Sequence, residues 1–159
     1  MVYLALSLSA VLVIVDQIIK FIASKNLIPG TTTSLINIGG KDWLNLTYVE
    51  NTGAGFSLLQ GFRWLLVTVT AAFIIAAVVF LILKKPKNQW YLWSLSVIIG
   101  GGLGNLLDRI FRGYVIDYID VRIINFAVFN FADCCVVIGA IILLVATLFF
   151  SKENKDDKI

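Results

Sequence analysis

Four long apolar runs, separated by polar stretches of unequal length, organise this chain. The first extends from Val2 to about Ile22, the second from about Trp64 to Leu83, the third from Trp90 to Leu107, and the fourth from about Ala132 to Phe150. Each is close to the roughly 20 residues that an α-helix, rising about 1.5 Å per residue, needs to cross the hydrocarbon core of a bilayer. The second run carries no charge, the first holds Asp16 and Lys20, the third is rich in glycine, and the fourth opens with Asp133. Buried helices of a soluble bundle would show charged outer faces, and these runs do not. The pattern predicts an all-α membrane protein of four transmembrane helices, folded as a single domain over 1–159. The charged stretch 151–159 reads as a disordered tail.

The polar stretches differ in character. From Asn26 to Phe62 the chain contains a Gly39-Gly40 turn and the run Trp43-Leu-Asn-Leu-Thr-Tyr-Val49, which alternates with period two. That signature predicts strands and a hairpin, hence a small extracytoplasmic β-sheet region between helices 1 and 2. Residues 108–131 form a second segment on the same side. Four spans put both termini on one side. Lys84, Lys85 and Lys87 in a short loop, and Lys152, Lys155 and Lys158 in the tail, favour the cytoplasm for that side. Lys25, Lys41, Arg63, Arg109, Arg112 and Arg122 fall on the other side and weaken the bias. The first run has no basic n-region and is too long for a cleavable leader, so it is expected to be retained.

Composition narrows the chemistry. Of 159 residues 59% are hydrophobic and only 14% charged, against about 25% charged in a soluble domain. The membrane lipid is therefore the expected surroundings. The net charge of +3 comes from scattered residues with no aromatic-interleaved basic patch, which argues against nucleic acid. There is no histidine, which removes the Ser-His triad and the H-E-x-x-H zinc site. A Ser-Lys dyad fails on position, because Ser7 and Ser9 lie far along the first helix from Lys20. Cys134-Cys135 are adjacent and lack metal-ligand spacing, so they read as small packing residues. No metal or cofactor is expected.

Following the four spans through the membrane brings Asp16, Lys20, Glu50, Asn51, Asn105, Asp108, Arg109, Asp117, Asn130 and Asp133 out at one face. Ionisable groups at a membrane segment are functional candidates by default. Without histidine, two carboxylates form the remaining acid–base machine: they share one proton, one acting as base and the other as acid. Asp117 and Asp133 are the candidates, Asp133 at a helix start, where negative charge is favoured, and Asp117 in the loop beyond the third helix. Singly, each is more simply a helix-start charge or a solvated loop charge. Asp120 reads as structural or solvated. Asp16 and Lys20, four apart on one helix face, read as a neutralising pair. Asp108 and Arg109 can pair with each other or reach a lipid headgroup. The glycines of 100–104 permit close helix approach. A second class stays open, a non-enzymatic small membrane transporter or lipid-binding bundle with carboxylates as proton or cation sites. Gathering the polar residues at one face, rather than through the membrane depth, favours an enzyme.

Five segments, in order, resemble the bacterial lipoprotein signal peptidase family, the type II signal peptidases. They are Asp16-Gln-Ile-Ile-Lys20, Asn51-Thr-Gly-Ala-Gly-Phe-Ser57, Gly101-Gly-Leu-Gly-Asn105-Leu-Leu-Asp108-Arg109, Val115-Ile-Asp117-Tyr118 and Phe129-Asn130-Phe-Ala-Asp133. The resemblance implies a membrane aspartyl endopeptidase with Asp117 and Asp133 catalytic and with Asn51, Asn105, Arg109 and Asn130 supporting the site. It implies diacylglyceryl-modified prolipoproteins as substrates, cut just before the lipid-modified cysteine. It also implies the bacterial cytoplasmic membrane, with the site near the outer face and neither metal nor cofactor. Two positions depart from the family's habit: Tyr118, where phenylalanine is commoner, and Cys134-Cys135, where small or hydroxyl residues are commoner.

Overall fold

The computed structural model describes residues 1–54, 59–124 and 126–150. Among them, four helices are long and apolar enough to span a membrane: α1 (Val2–Asn26), α2 (Arg63–Lys84), α3 (Gln89–Phe111) and α4 (Phe131–Phe150). Residues 55–57 of the Asn51–Ser57 motif and the tail 151–159 fall outside the described residues.

The helices extend one to four residues beyond the apolar runs because their polar ends find partners. α1 continues to Asn26 and stops at Leu27, which turns extended ahead of Pro29. Its buried residues, Ala5, Ser9, Asp16, Lys20 and Ala23, recur at intervals near 3.6 and mark one face turned to the bundle. The opposite face leaves Tyr3, Leu4, Ile14, Ile18 and Phe21 exposed, as a lipid-facing surface requires. α3 is the central helix and packs on α1, α2 and α4. Glycine makes this possible at two places. A Cβ at Gly101 would collide with the Ala132 carbonyl of α4, and one at Gly104 with the Asp16 carboxylate of α1. Around Leu81, Leu92, Leu95 and Ile99 a buried cluster joins α2 and α3 to α1.

The sheet has three antiparallel strands in the order β1 (Thr32–Ile38), β2 (Lys41–Asn51), β3 (Val115–Asp120). β1 and β2 form the expected hairpin, turning at Gly39 and Gly40, both with positive φ. The third strand was expected as loop and comes from beyond α3. It pairs Asn51 with Val115 and Val49 with Asp117. The segment after it folds back, with Phe129 exchanging backbone hydrogen bonds with Ile119. Ala23, Tyr48, Ile116 and Tyr118 bury together, with Ile19 and Phe131 against them. This cluster docks the sheet onto α1 and the start of α4. Burying one such side chain contributes about 1.5–3 kcal/mol.

Candidate active site

The first turn of α4 shows how the site is held. Four amide donors at a helix start lack intrahelical partners, and buried side chains serve them here. Phe131 N–H donates to the Tyr118 hydroxyl (3.2 Å) and Ala132 N–H to Asp16 Oδ1 (3.2 Å). Asn130 and Asp133 form a reciprocal cap: Asp133 N–H donates to Asn130 Oδ1 at 3.0 Å, and Asn130 N–H to Asp133 Oδ2 at 3.1 Å. Cys134 N–H closes the first turn on the Asn130 carbonyl at 3.3 Å. The Asp133 carboxylate is thus fixed by the helix that bears it.

Asp117 stands on β3, not in a loop as expected, and is 2% exposed. Its Oδ1 accepts from Asn130 Nδ2 at 2.6 Å and its Oδ2 from Asn51 Nδ2 at 2.9 Å. Asn51, at the end of β2, is itself oriented by Gly53 N–H, which donates to its Oδ1 at 2.9 Å. Asn105 of α3 donates from Nδ2 to Asp133 Oδ1 at 2.8 Å, and its Oδ1 accepts from Asn130 Nδ2 at 3.1 Å. Asn130 therefore touches both carboxylates and Asn105. Burial pushes the Asp117 carboxyl up from 3.8 to about 6. The negative charge of Asp133 adds to the rise, and the hydrogen bonds from Asn51 and Asn130 oppose it. Burial also raises the Tyr118 phenol.

Both aspartates line one cavity of about 780 Å³. Its walls are mostly apolar: Val69 and Phe73 from α2, Ile98 from α3, and Val136, Val137 and Ile138 from α4. Arg109 also reaches the cavity. Its Nη2 donates to the Gly53 carbonyl at 2.8 Å, and its buried Nε has no partner among the described residues. The polar groups thus sit at one end of an apolar cavity, a common form for a binding site.

The remaining expectations fare differently. Asp16 and Lys20 pair at 2.9 Å, and both are buried. Asp108 does not pair with Arg109. It binds Lys20 at 2.8 Å and also Arg112, because residues 108 and 112 share a helix face that Arg109 leaves. Asp120 is structural: it pairs with Arg122 at 2.7 Å and accepts from Thr47 at 2.7 Å. Cys134 lines the cavity, Cys135 is buried, and both are free thiols. Three contributors escape sequence reasoning. Gln17 donates to Asp16, Asp108 and the Gly104 carbonyl, each at 3.2 Å. Arg63 holds the Arg109 and Ile110 carbonyls at 2.6 and 2.7 Å, as a cation suits a helix C-terminus. Tyr118 caps α4. Of these, Gln17 and Tyr118 carried a sequence signal, their places inside the Asp16–Lys20 and Val115–Tyr118 motifs.

Comparison with known proteins gives concordant findings. The model of a family described as signal peptidase (SPase) II matches residues 8–149. A lipoprotein signal peptidase of Caldanaerobacter subterraneus subsp. tengcongensis is 39% identical over 146 residues, covering 92% of this chain and 97% of the relative. One from Fusobacterium nucleatum subsp. nucleatum is 36% identical over 157 residues, covering 98% and 91%. A solved bacterial membrane enzyme, determined by the in meso method at 2.3 Å resolution, superposes with a TM-score of 0.83 at 30% identity, covering 98% of this chain and 91% of the other.

Proposed function

The chain belongs to the signal peptidase II family and removes signal peptides from lipoproteins; on that premise we propose that Asp117 and Asp133 are its catalytic dyad. The observation that carries this reading is the pairing itself. Two carboxylates line one largely apolar cavity, and both accept hydrogen bonds from Asn130.

With one proton between them, the ionised carboxylate takes a proton from a water molecule as its oxygen attacks the scissile carbonyl carbon. The protonated carboxyl gives its proton to the carbonyl oxygen, forming a tetrahedral diol. Collapse of the diol breaks the C–N bond, and the leaving nitrogen takes up a proton while a carboxyl terminus remains. Asn51, Asn105 and Asn130 hold both carboxylates in register for these transfers. Arg109, which lines the cavity, contacts a substrate carbonyl or headgroup.

The substrate is a diacylglyceryl-modified prolipoprotein, cut just before its lipid-bearing cysteine. The apolar walls from Val69 and Phe73 to Val137 and Ile138 suit acyl chains, and remote lipid binding then positions the bond. Both termini are cytoplasmic and the site faces outward in the bacterial cytoplasmic membrane, as the exposed Lys84, Lys85 and Lys87 at the opposite end support. A transporter would need ionisable groups through the membrane depth. Away from the site, the buried polar side chains of the described helices are Ser9, Ser94 and Ser96. The test is to incubate the purified protein with lipidated and unmodified forms of one prolipoprotein. Release of signal peptide from the lipidated form, with kcat/KM at least about tenfold lower for the unmodified form, is expected; equal values would refute lipid selection.

A further inference from the structure

Lys20 is fully buried in α1 and lies outside the dyad's direct contacts. Its ammonium has three partners: Asp16 Oδ2 at 2.9 Å, Asp108 Oδ2 at 2.8 Å and Asn105 Oδ1 at 2.8 Å. The first two suffice to neutralise it. The third has a different effect. An ammonium only donates, so together with the Asn130 Nδ2 donor it turns the Asn105 oxygen toward Lys20 and its Nδ2 toward Asp133. Asn130 is fixed the same way at its other end, because the Asp133 backbone N–H only donates. Both amides are thus set, and the Asp133 carboxylate receives the Asn105 Nδ2 donor and a backbone N–H, at a helix start. Asp117 also has a donor on each oxygen, from Asn130 and Asn51; what sets Asp133 apart is its place in the first turn of a helix, where negative charge is favoured.

We infer that Lys20 is a positioning residue for the reaction: through Asn105 it holds the negative charge of the dyad on Asp133, leaving the shared proton on Asp117. This deepens the proposed mechanism and rests on it. Asp133 is then the base that receives the water proton, and Asp117 the acid that protonates the carbonyl oxygen. The site's charged and titratable groups are Asp16 on α1, Asp108, Arg109 and Arg112 on α3, Asp117 and Tyr118 on β3, and Asp133, Cys134 and Cys135 on α4. Lys20 bonds the side chain of Asn105, whereas Arg109 reaches only its backbone carbonyl, at 3.4 Å. Asp16 bonds neither carboxylate nor any of the three asparagines.

The test pairs K20M/D16N, which removes one charge of each sign, with K20R, which keeps the cation; K20Q, which keeps a donor without charge, serves as a third variant. The readout is the pH profile of kcat/KM on a lipidated prolipoprotein, for protein shown folded by its thermal transition. K20M/D16N should move the limbs of the profile to higher pH by at least about half a unit and lower kcat at the optimum about tenfold, and K20Q, which keeps a donor to Asn105, should move them less. K20R should restore most of the wild-type profile. A uniform fall in activity with an unmoved profile in the folded variants would reduce Lys20 to a packing element and overturn the inference. D117N and D133N are measured alongside. If either keeps near-normal turnover, the dyad reading itself fails; if both are inactive while the Lys20 profiles stay put, only the inference fails.

Discussion

α3 and α2 are neighbours of nearly equal length, yet they are built for opposite tasks. About half of α3 is buried, and its last turns carry Asn105, Asp108 and Arg109. α2 buries Ile74, Ala77 and Leu81, carries no partner of either aspartate, and turns Val69 and Phe73 into the cavity. The polar chemistry is mounted on the best-packed helix, where glycine brings α1 and α4 close enough to share hydrogen bonds. Part of the apolar wall is mounted on α2, a helix that packs mainly on α3. On the proposed mechanism, placement of the dyad partners and an apolar surface for lipid are different requirements, and they fall largely on different helices.

The largest expected effect tests the close-packed side. Gly104→Val would drive two methyls into the Asp16 carboxylate. It should abolish both activity and a cooperative thermal transition, since overpacking and loss of a buried ion pair act together; an active, stable variant would mean that α1 and α3 can separate freely.

Next come the shared asparagines. Asn130→Ala removes a cap and a donor to Asp117, and Asn105→Ala removes the donor to Asp133. Each should lower kcat by about 10²-fold, the scale for losing one aligned donor. Steady-state kinetics decide it. A change confined to KM would place these residues in substrate binding instead.

The pH dependence follows from Asp117. Its carboxyl, raised from 3.8 to about 6, keeps a proton where an ordinary carboxylate has lost it. As pH rises past that value the proton shared by the pair is lost, so kcat/KM should fall on an alkaline limb near pH 6 or above, never near 4. For stability the sign is the same: the folded state binds the proton more tightly than the unfolded chain. The contribution is therefore full below about 4 and is lost as pH rises through about 6. Asp117→Asn should flatten that part of a thermal-stability profile.

Phe73→Ala on α2 should have a smaller effect, a several-fold rise in KM for lipidated substrate with kcat nearly unchanged. The smallest belongs to Asp120→Asn. Its partner Arg122 is about half exposed, and an amide can still accept from Thr47, so the cost should be about 1 kcal/mol, with turnover intact.

The sequence announced the four spans well, because hydrocarbon thickness leaves few alternatives. It was poorer where polar residues are buried. α3 was expected to end near Leu107 but continues to Phe111, since Asp108 is neutralised by Lys20 and Arg112 and costs far less than its hydropathy suggests. β3 was expected as loop because Asp117 and Asp120 interrupt its apolar residues. Both aspartates are buried there with partners that come from distant segments. Convergence of the site on one face was legible from topology alone. Gln17, Arg63 and Tyr118 were not, because their roles lie in hydrogen bonds to backbone or to residues some 13 to 91 positions away.

The central claim is that Asp117 and Asp133 act together. It is met most directly by the turnover of Asp117→Asn and Asp133→Asn on a lipidated prolipoprotein, each variant checked for an intact thermal transition in the same detergent. Both are isosteric and leave the cavity in place. Each should lose at least about 10³-fold in kcat, because an amide can neither take the water proton nor give one to the carbonyl oxygen. Near-normal turnover by either folded variant would contradict the account.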